Sequence, residues 1–319
     1  MQWTDRIGRR LKPRDLHIFL AVAEAGNMAK AADRLAISRP VVSKTINDLE
    51  HVLGVRLLDR NPKGVEPTIY GRALLRRSLG VFEELKQSVK EIEYLANPSA
   101  GEVRIGCTET MSAGLVSVAI DLLVRRHPHW VFHVRTASAA VHLELLRSRT
   151  CEIVVGRPEI TDQLEDVDTE QLFYEKLLVV VGPHNKWHNR RKIALNELVD
   201  EPWIQSRLEV EPGAPTFEAF RAARLGPPRV AIFSESLSLR YHLLEAGPFI
   251  TAVPESTWRL GRRPASLKVL PIDFPRWRQA NAISVLKGRT LSPMAQAFMN
   301  AVREASMAVR GARSPVQSR

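Results

Sequence analysis

Residues 27–50 constrain the fold of this chain more than any other segment, because they predict two helices joined by a tight turn. Asn27 is a good N-cap for the first helix, and Ser38 is a good N-cap for the second. Pro40 lies in the first turn of the second helix, where a missing backbone N–H costs little. The segment therefore predicts a compact helix-turn-helix.

Each helix of this pair has one apolar face. The residues expected to pack inward are Ala31, Ala32, Leu35, Val42, Ile46, Leu49 and Leu53. The other face of the second helix bears cations, a hydroxyl, an amide and a methyl-bearing side chain, the groups that bind phosphates and read base edges. The predicted DNA contacts on this helix are Ser38, Arg39, Pro40, Val41, Ser43, Lys44 and Asn47. Any small helical bundle also has a polar face, so a purely structural role stays open on this pattern alone.

A short hairpin is predicted directly after this helix. An apolar strand runs to Arg60, residues 61–64 have the composition of a turn, and 65–68 form the returning strand. Arg60 and Lys63 near the tip of this wing are expected to contact phosphate or a minor groove. A solvated basic hairpin is the alternative.

A long helix is predicted from residue 68 to about residue 96. Apolar side chains recur along it in alternating three- and four-residue steps, which is enough for a short two-helix seam. The residues predicted to form a dimer seam are Leu75, Phe82, Leu85, Val89 and Ile92. An ordinary helix packed on its own domain would show a similar pattern.

Beyond a Pro-, Ser- and Gly-containing hinge at 97–101, short apolar segments alternate with helical stretches. This alternation predicts an α/β region with a largely parallel sheet. The predicted strands are 103–106, 131–135, 153–156, 177–182, 230–233, 249–253 and 282–286. The predicted helices are 115–126, 141–149, 217–225, 237–245 and a last one from 293 to about 309.

Charge and composition favour a polyanionic partner. The 319 residues carry a net charge of +11, which favours nucleic acid ahead of an anionic membrane or an acidic protein. Two cysteines do not make a disulfide framework, and Cys107 is expected to be a buried strand residue rather than a redox-sensing thiol. The start of the chain lacks an apolar signal segment, and no uncharged apolar run is long enough to cross a membrane. We therefore expect a cytoplasmic protein.

No constellation for catalysis or metal binding is evident in the sequence. His127, His129 and His133 cluster, and His184 lies four residues before His188, but neither group has cysteines or acids at ligand spacing. The sequence also shows no Gly-rich phosphate loop and no nucleophile-elbow motif. We expect no enzymatic activity, no metal and no cofactor.

The N-terminal residues resemble the DNA-binding domain of LysR-type transcriptional regulators. The segments that carry the resemblance are 19–27, 31–35, 38–43, 49–50 and 53–60, together with the hairpin that follows. The rest of the chain resembles the effector domain of that family in its layout. That layout is a linker helix, a hinge and two α/β lobes like those of periplasmic binding proteins.

The chain departs from the family pattern at several positions. Arg39 stands where Gln is common, and it can still contact guanine bidentately, so this change concerns the target sequence rather than DNA binding. Leu58 stands where Phe is common, and Pro67 replaces the usual Leu of the wing and removes a strand donor. Residues 246–250 replace a more glycine-rich turn, which leaves the details of the pocket shape open.

The resemblance implies a division of the chain into segments. These are a winged helix-turn-helix domain (1–67), a dimerisation helix (68–96), a hinge (97–101), an effector-binding domain (102–309) and a disordered basic tail (310–319). The effector-binding domain divides into lobe I, which comprises 102–171 and 274–309, and lobe II, which comprises 172–273.

A small acidic effector is expected in the cleft between the two lobes, where strand ends and helix N-termini offer free N–H groups. The residues that match the family's cleft are Thr108, Glu109, Thr110, Ser138, Arg157, Gln205, Ser206 and Ser236. Arg157, or the amides around Thr108 and Ser138, is expected to hold the acid group. Hydroxyls in such loops are equally ordinary helix caps.

The sequence thus predicts a ligand-responsive bacterial regulator that binds a pseudo-palindromic site on double-stranded DNA as a homodimer. The family commonly forms tetramers, so a homotetramer is expected, located in the cytoplasm at the bacterial nucleoid. RNA polymerase is a further partner of such a regulator. The alternatives are a non-specific nucleic-acid-binding protein and a cytosolic small-solute-binding protein.

Overall fold

The computed structural model describes residues 10–61, 64–97, 100–158, 165–274 and 276–310. Contacts divide the chain into two compact units, Met1–Val89 and Lys90–Arg319. The predicted basic tail lies outside the described residues, apart from its first residue. Each unit is considered in turn.

Three helices and a hairpin build the first unit, and the last two helices and the hairpin are those predicted above. The helices are α1 (Pro13–Ala25), α2 (Met28–Arg34) and α3 (Arg39–Leu53), and the hairpin strands are β1 (Leu58–Asn61) and β2 (Gly64–Pro67). The core contains the predicted inward residues of both turn helices, with Leu35 and Leu53 only half-buried at its edge. Helical spacing of small and aliphatic residues therefore places the polar face of α3 on the outside.

The helix caps of the first unit follow the sequence in part. Asn27 caps α2, because its side-chain oxygen accepts the N–H groups of Ala29 and Lys30 at 2.7 and 3.3 Å. Ser38 occupies the N-cap position of α3, but its hydroxyl accepts no capping hydrogen bond from the described backbone. Ser38 therefore occupies the predicted cap position without forming the capping hydrogen bond, and its hydroxyl stays available to another partner.

The wing is an antiparallel pair in which Leu58 lies opposite Pro67. Glu50 of α3 ties it to the helices, because its Oε1 accepts the N–H groups of Leu57 and Leu58 at 2.7 and 3.1 Å. Pro67 stands at the end of its strand, where a missing donor disturbs the ladder least. Lys63, predicted near the wing tip, lies outside the described residues.

The helix α4 (Ile69–Ala96) follows the wing and matches the predicted long helix closely. Gly71 in its first turn allows close packing, since a Cβ there would lie 2.0 Å from the carbonyl oxygen of Leu57. The side chains of Leu75 and, further along, Phe82 are half-buried. The first of these packs on the core of the first unit, and the second contacts the ring of His17.

The second unit is an α/β structure around one mixed sheet. Its strands are β3 (Ala100–Cys107), β4 (His129–Thr136), β5 (Ile153–Gly156), β6 (Val167–Val181), β7 (Trp203–Gln205), β8 (Val230–Phe233), β9 (Ile250–Pro254), β10 (Lys268–Val269) and β11 (Arg276–Leu286). Its helices are α5 (Glu109–Met111), α6 (Ser117–Arg126), α7 (Ala139–Arg147), α8 (Pro215–Ala222), α9 (Leu237–Ala246), α10 (Glu255–Leu260) and α11 (Pro293–Arg310). A π-helical turn, Ser112–Val116, joins α5 to α6.

The strand order β4-β3-β5-β11-β6-β9-β7-β8 separates two lobes. The strands β3, β4 and β5 are parallel in one lobe, and β7, β8 and β9 are parallel in the other. The long strands β6 and β11 pair antiparallel with each other and with their neighbours and pass between the lobes. The sheet is therefore mixed rather than largely parallel, because the chain crosses between the lobes twice.

Several elements differ from their predicted bounds. The strand β3 begins at Ala100, so the last two residues of the predicted hinge belong to the sheet, while 98 and 99 lie outside the described residues. The strand predicted at 177–182 corresponds to the last third of the 15-residue β6, which ends at residue 181. The short elements β7, β10 and α10 were not predicted, because two to six residues carry too little periodicity to be recognised.

A buried ion pair fixes the last part of α4 within the second unit. Lys90 Nζ lies 3.0 Å from Glu152 Oε1, and the two side chains are only 8% and 2% exposed. The other carboxylate oxygen of Glu152 accepts the N–H of Ser292 at 3.4 Å. Removal of one charge from such a pair leaves the other buried without compensation, which is strongly destabilising.

We expect Lys90→Met to lower the free energy of unfolding of the second unit by about 3 kcal/mol. The double variant Lys90→Met/Glu152→Gln should recover most of this loss, because no charge then remains buried. Urea unfolding followed by tryptophan fluorescence measures the effect, since Trp130, Trp187, Trp203, Trp258 and Trp277 all belong to this unit.

Lys86→Met is the matched control, because Lys86 is exposed on the same helix. Its effect should stay within about 0.5 kcal/mol. Equal losses in Lys90→Met and Lys86→Met would show that the buried pair contributes nothing specific.

Candidate DNA-binding and effector-binding sites

The polar face of α3 is exposed in the first unit. Of the predicted DNA contacts on this helix, Ser43 is half-buried. The others are exposed, and they are Ser38, Arg39, Pro40, Val41, Lys44 and Asn47. Arg39 and Lys44 have no ion-pair partner among the described residues. Because α3 buries its opposite face in the core, its exposed face is held rigidly for contact with another molecule.

The wing reaches this face through one hydrogen bond. Arg60 Nη2 donates to Asn47 Oδ1 at 2.6 Å, which links β1 to the exposed face of α3. The guanidinium group has further donors that this bond does not use. The structure therefore brings two predicted DNA contacts together, one from the wing and one from the helix.

A cleft in the second unit has a volume of about 70 Å³. It lies where strands end, since β3, β4, β5 and β7 each lead into one of its lining loops. The lining residues are Thr108, Glu109, Thr110, Ala137, Ser138, Arg157, Leu177, Ser206, Leu208, Glu209, Glu235, Arg240 and Pro254. Six of the eight predicted effector contacts are among them, which places residues from both lobes around one small cavity.

The other two predicted effector contacts lie elsewhere. Gln205 is fully buried at the end of β7, and its side-chain amide has no hydrogen-bond partner among the described residues. Ser236 is exposed and caps α9, because its hydroxyl accepts the N–H of Leu239 at 3.3 Å. Ser236 therefore acts as a helix cap next to the lining residue Glu235, and Gln205 directly precedes the lining residue Ser206.

The hydroxyls that do line the cleft also differ in role. Thr108 caps α5, because its Oγ1 accepts the N–H of Met111 at 3.3 Å. Ser206 Oγ accepts the N–H of Glu209 at 3.3 Å. Ser138 precedes α7, but its hydroxyl accepts no capping hydrogen bond from the described backbone. Ser138 thus has a hydroxyl that the local backbone does not use.

A buried pair that the sequence did not reveal forms one wall of the cleft. Arg240 of α9 binds Glu209 bidentately, with Nη1–Oε1 and Nη2–Oε2 distances of 3.2 and 3.1 Å. Arg240 also donates to the carbonyl oxygens of Ser234 and Ala252, at distances from 2.6 to 3.1 Å. All three nitrogens of this guanidinium group therefore have partners, and Arg240 acts as a fixed part of the wall.

Arg157 follows β5 and lines the cleft from the other lobe. Burial lowers the pKa of Arg157, and the nearby carboxyl groups of Glu175 and Glu209 act in the opposite direction. Burial raises the pKa of Glu175, which is opposed by hydrogen bonds from the hydroxyl and N–H groups of Ser256. Arg157 therefore interacts with one carboxyl group from the crossover strand β6, that of Glu175, and with one from lobe II, that of Glu209.

Two family models match the chain. The model "Bacterial regulatory helix-turn-helix protein, lysR family" covers residues 13–72, and the model "LysR substrate binding domain" covers residues 96–307. The chain belongs to the LysR family of transcriptional regulators. Its first unit carries the DNA-binding helix-turn-helix, and its second unit carries the effector-binding domain.

Known members of the family resemble this regulator over nearly its whole length. It is similar to the transcriptional regulator GbpR of Azospirillum brasilense, with 29% identity over 93% of this chain and 87% of GbpR. In fold it is similar to LysG of Corynebacterium glutamicum with bound effector Arg, at 16% identity and a TM-score of 0.64 over 93% and 99% of the chains. It also resembles full-length CbnR complexed with its target DNA, at 23% identity and a TM-score of 0.52 over 93% and 100%. At these identities, the two solved structures support the fold alone.

Metal binding and membrane insertion are two other properties that bear on the function of this LysR-type regulator. Its described residues contain no group of three or more His, Cys, Asp or Glu side chains placed to hold a metal ion. In the part of the chain that the structure describes, no helix is both long and apolar enough to cross a membrane.

Both cysteines of the regulator are free and buried, as expected for Cys107. Burial raises the pKa of the Cys107 thiol to about 12, and the neighbouring Glu109 adds to this shift. Burial also raises the pKa of Cys151. Since the thiolate is the reactive form, both thiols are poorly suited to redox chemistry in the folded protein.

We expect neither cysteine to react with Ellman's reagent in the folded protein at pH 8. At a pKa of about 12, the thiolate fraction of Cys107 is about a thousandfold below that of an ordinary thiol. Two thiols per chain should react once the protein is unfolded in guanidinium chloride. Rapid modification of either cysteine in the native state would contradict this assignment.

Proposed function

We propose that this regulator binds a two-fold-symmetric operator on double-stranded DNA as a homodimer and responds to a small carboxylate effector. The exposed face of α3, with Arg39, Lys44 and Asn47 opposite a buried apolar face, carries this proposal. The proposed domain bounds are 1–67, 68–96 and 102–309, as the resemblance implies. Its place is the cytoplasm, at the bacterial nucleoid, where DNA and RNA polymerase are its partners.

The geometry of α3 supports direct reading of base edges. The N-terminal residues of a recognition helix approach the bases most closely in a helix-turn-helix. Arg39 is the first residue of α3 and is exposed, so it is placed to contact a guanine. Lys44 and the wing cations suit phosphate, which fixes orientation but does not select a sequence.

We expect Arg39→Ala to reduce the preference for operator over random DNA by about 1–3 kcal/mol. Lys63→Ala should weaken binding to both DNAs together and reduce the salt dependence by about one charge. The operator is first selected from sheared genomic DNA of the source organism with the purified protein. Affinities for operator and random duplexes of equal length are then measured over a range of salt concentrations.

Arg125→Ala is the matched control, because it removes one exposed positive charge from α6 and leaves the first unit intact. It should leave the affinity for both DNAs almost unchanged. Uniform retention of genomic DNA without a motif, or equal losses for Arg39→Ala on both duplexes, would favour a non-specific nucleic-acid-binding protein instead.

An exposed apolar stripe on α4 supports the proposed dimer. Its residues are each between 45% and 72% exposed: Val81, Leu85, Val89, Ile92 and Leu95. Contiguous apolar surface of this kind is typical of an interaction site. Leu75 and Phe82 of the predicted seam pack within the first unit, so we assign the seam to the exposed stripe. A homotetramer then forms from two such dimers through further surfaces.

We expect the double variant Leu85→Glu/Val89→Glu to dissociate the protein into smaller species, because four like charges would meet in each seam. Light scattering coupled to size-exclusion chromatography gives the mass directly. Lys86→Glu, an exposed change on the same helix, is the control and should keep the native mass. A native mass for the double variant would refute dimerisation through this stripe.

The start of α7 supports an acid-binding position in the cleft. The first N–H groups of a helix have no partner within the helix, and they favour anions. Ser138 adds a hydroxyl that does not cap the helix, and Arg157 lines the same cavity. We therefore assign the acid group of the effector to the N-terminus of α7, next to Ser138.

A further inference from the structure

The cleft contains a carboxylate without a side-chain partner among the described residues. Glu109 lines the cavity and is half-buried. Its side chain makes no hydrogen bond and no ion pair with any residue that the structure describes. A half-buried carboxylate is partly withdrawn from water, so a cation delivered by a ligand would stabilise it.

The arginines of the cleft are engaged by other carboxylates. Arg240 is held bidentately by Glu209 and is further saturated by backbone carbonyl oxygens. The acidic groups that act on Arg157 are Glu175 and Glu209, rather than Glu109. Among the described residues, neither guanidinium group forms an ion pair with Glu109.

The charge balance of the cleft follows from these contacts. Two arginines and three glutamates line the cavity, and Glu235 is the third glutamate, exposed at its edge. The two arginines are matched in number by Glu209 and Glu235, so the third lining carboxylate, Glu109, is in excess. The cleft as a whole therefore has an excess of negative charge, which is unsuited to a purely anionic ligand and suited to one that also carries a cation.

We propose that the effector is an amino acid or a related amino-carboxylate, and that Glu109 binds its positively charged amine. This inference rests on the proposed acid position at the start of α7. Ser138 and Glu109 line the same cavity of about 70 Å³, so one small molecule can reach both. The ammonium group pairs with Glu109, and the carboxylate binds Ser138 and the first N–H groups of α7.

Calorimetric titration of the full-length protein tests the inference. The probes are the twenty common L-amino acids, and each one that binds is compared with two analogues. One analogue is the 2-hydroxy acid, in which a hydroxyl replaces the amine, and the other is the amino acid amide, which lacks the carboxylate. We expect at least one amino acid to bind, and each analogue to bind at least tenfold more weakly.

Variants separate the role of Glu109 from a general charge effect. Glu109→Gln should weaken binding of the amino acid at least tenfold and leave the weak affinity for the 2-hydroxy acid within twofold. Glu144→Gln removes the same charge from the exposed side of α7, away from the cavity, and should leave both affinities unchanged. Thermal unfolding curves of the free variants show whether each one is folded.

The possible failures are distinguishable. A 2-hydroxy acid that binds as tightly as its amino acid, or a folded Glu109→Gln variant with native affinity, overturns the inference and leaves the acid position intact. So does binding of succinate or benzoate by a protein that binds none of the amino acids. An amide that binds as tightly as its amino acid overturns the acid position instead. If the protein binds neither the amino acids nor these two acids, both proposals fall.

Discussion

The effector-binding unit depends on the point where β6 passes from one lobe to the other. This strand pairs with β11 up to Lys176 and with β9 from Leu177, so Glu175 lies at the changeover. Its carboxylate accepts hydrogen bonds from the hydroxyl of Ser256 at 2.5 Å and from the amide of Asn281 at 3.0 Å. Ser256 lies in α10 and Asn281 lies in β11, so this one buried carboxylate of β6 links both crossover strands to lobe II. The shape of the cleft depends on that junction.

Local signals made the first unit predictable. Asn27 caps α2 with its own side chain, and Gly26 ends α1 in a left-handed conformation with φ of 61°. The apolar spacing of α3 depends only on helix geometry, so Val42 and Ile46 could be assigned to the core from the sequence. Each of these signals acts within a few residues of the chain, which is the range over which a sequence pattern can be read directly.

Non-local pairing limited the prediction of the second unit. The first half of β6 has exposed polar residues at 168–171 and forms a strand because β11 pairs with it more than a hundred residues later. Six of the thirteen cleft residues were predicted, since they follow recognisable strands. The partners Glu209 and Arg240 were missed, because a buried charge pair 31 residues apart leaves no periodic signal. Two of the five residues predicted for the dimer seam, Leu75 and Phe82, are half-buried instead of exposed. Their burial depends on tertiary packing, which the sequence pattern does not show.

The strand β5 places two functional contacts at the ends of one rigid element. Glu152, immediately before β5, holds Lys90 of α4, and Arg157, immediately after it, lines the cleft. Physical continuity alone does not make a regulator, because a ligand shifts an equilibrium only by its difference in affinity for two arrangements. A ligand bridging Glu109 and Ser138 engages two loops of lobe I, whereas Glu209 and Arg240 belong to lobe II. An effector that also contacts this second wall would bind more tightly to an arrangement with the lobes closed around it, and that difference in affinity is the free energy that regulation requires.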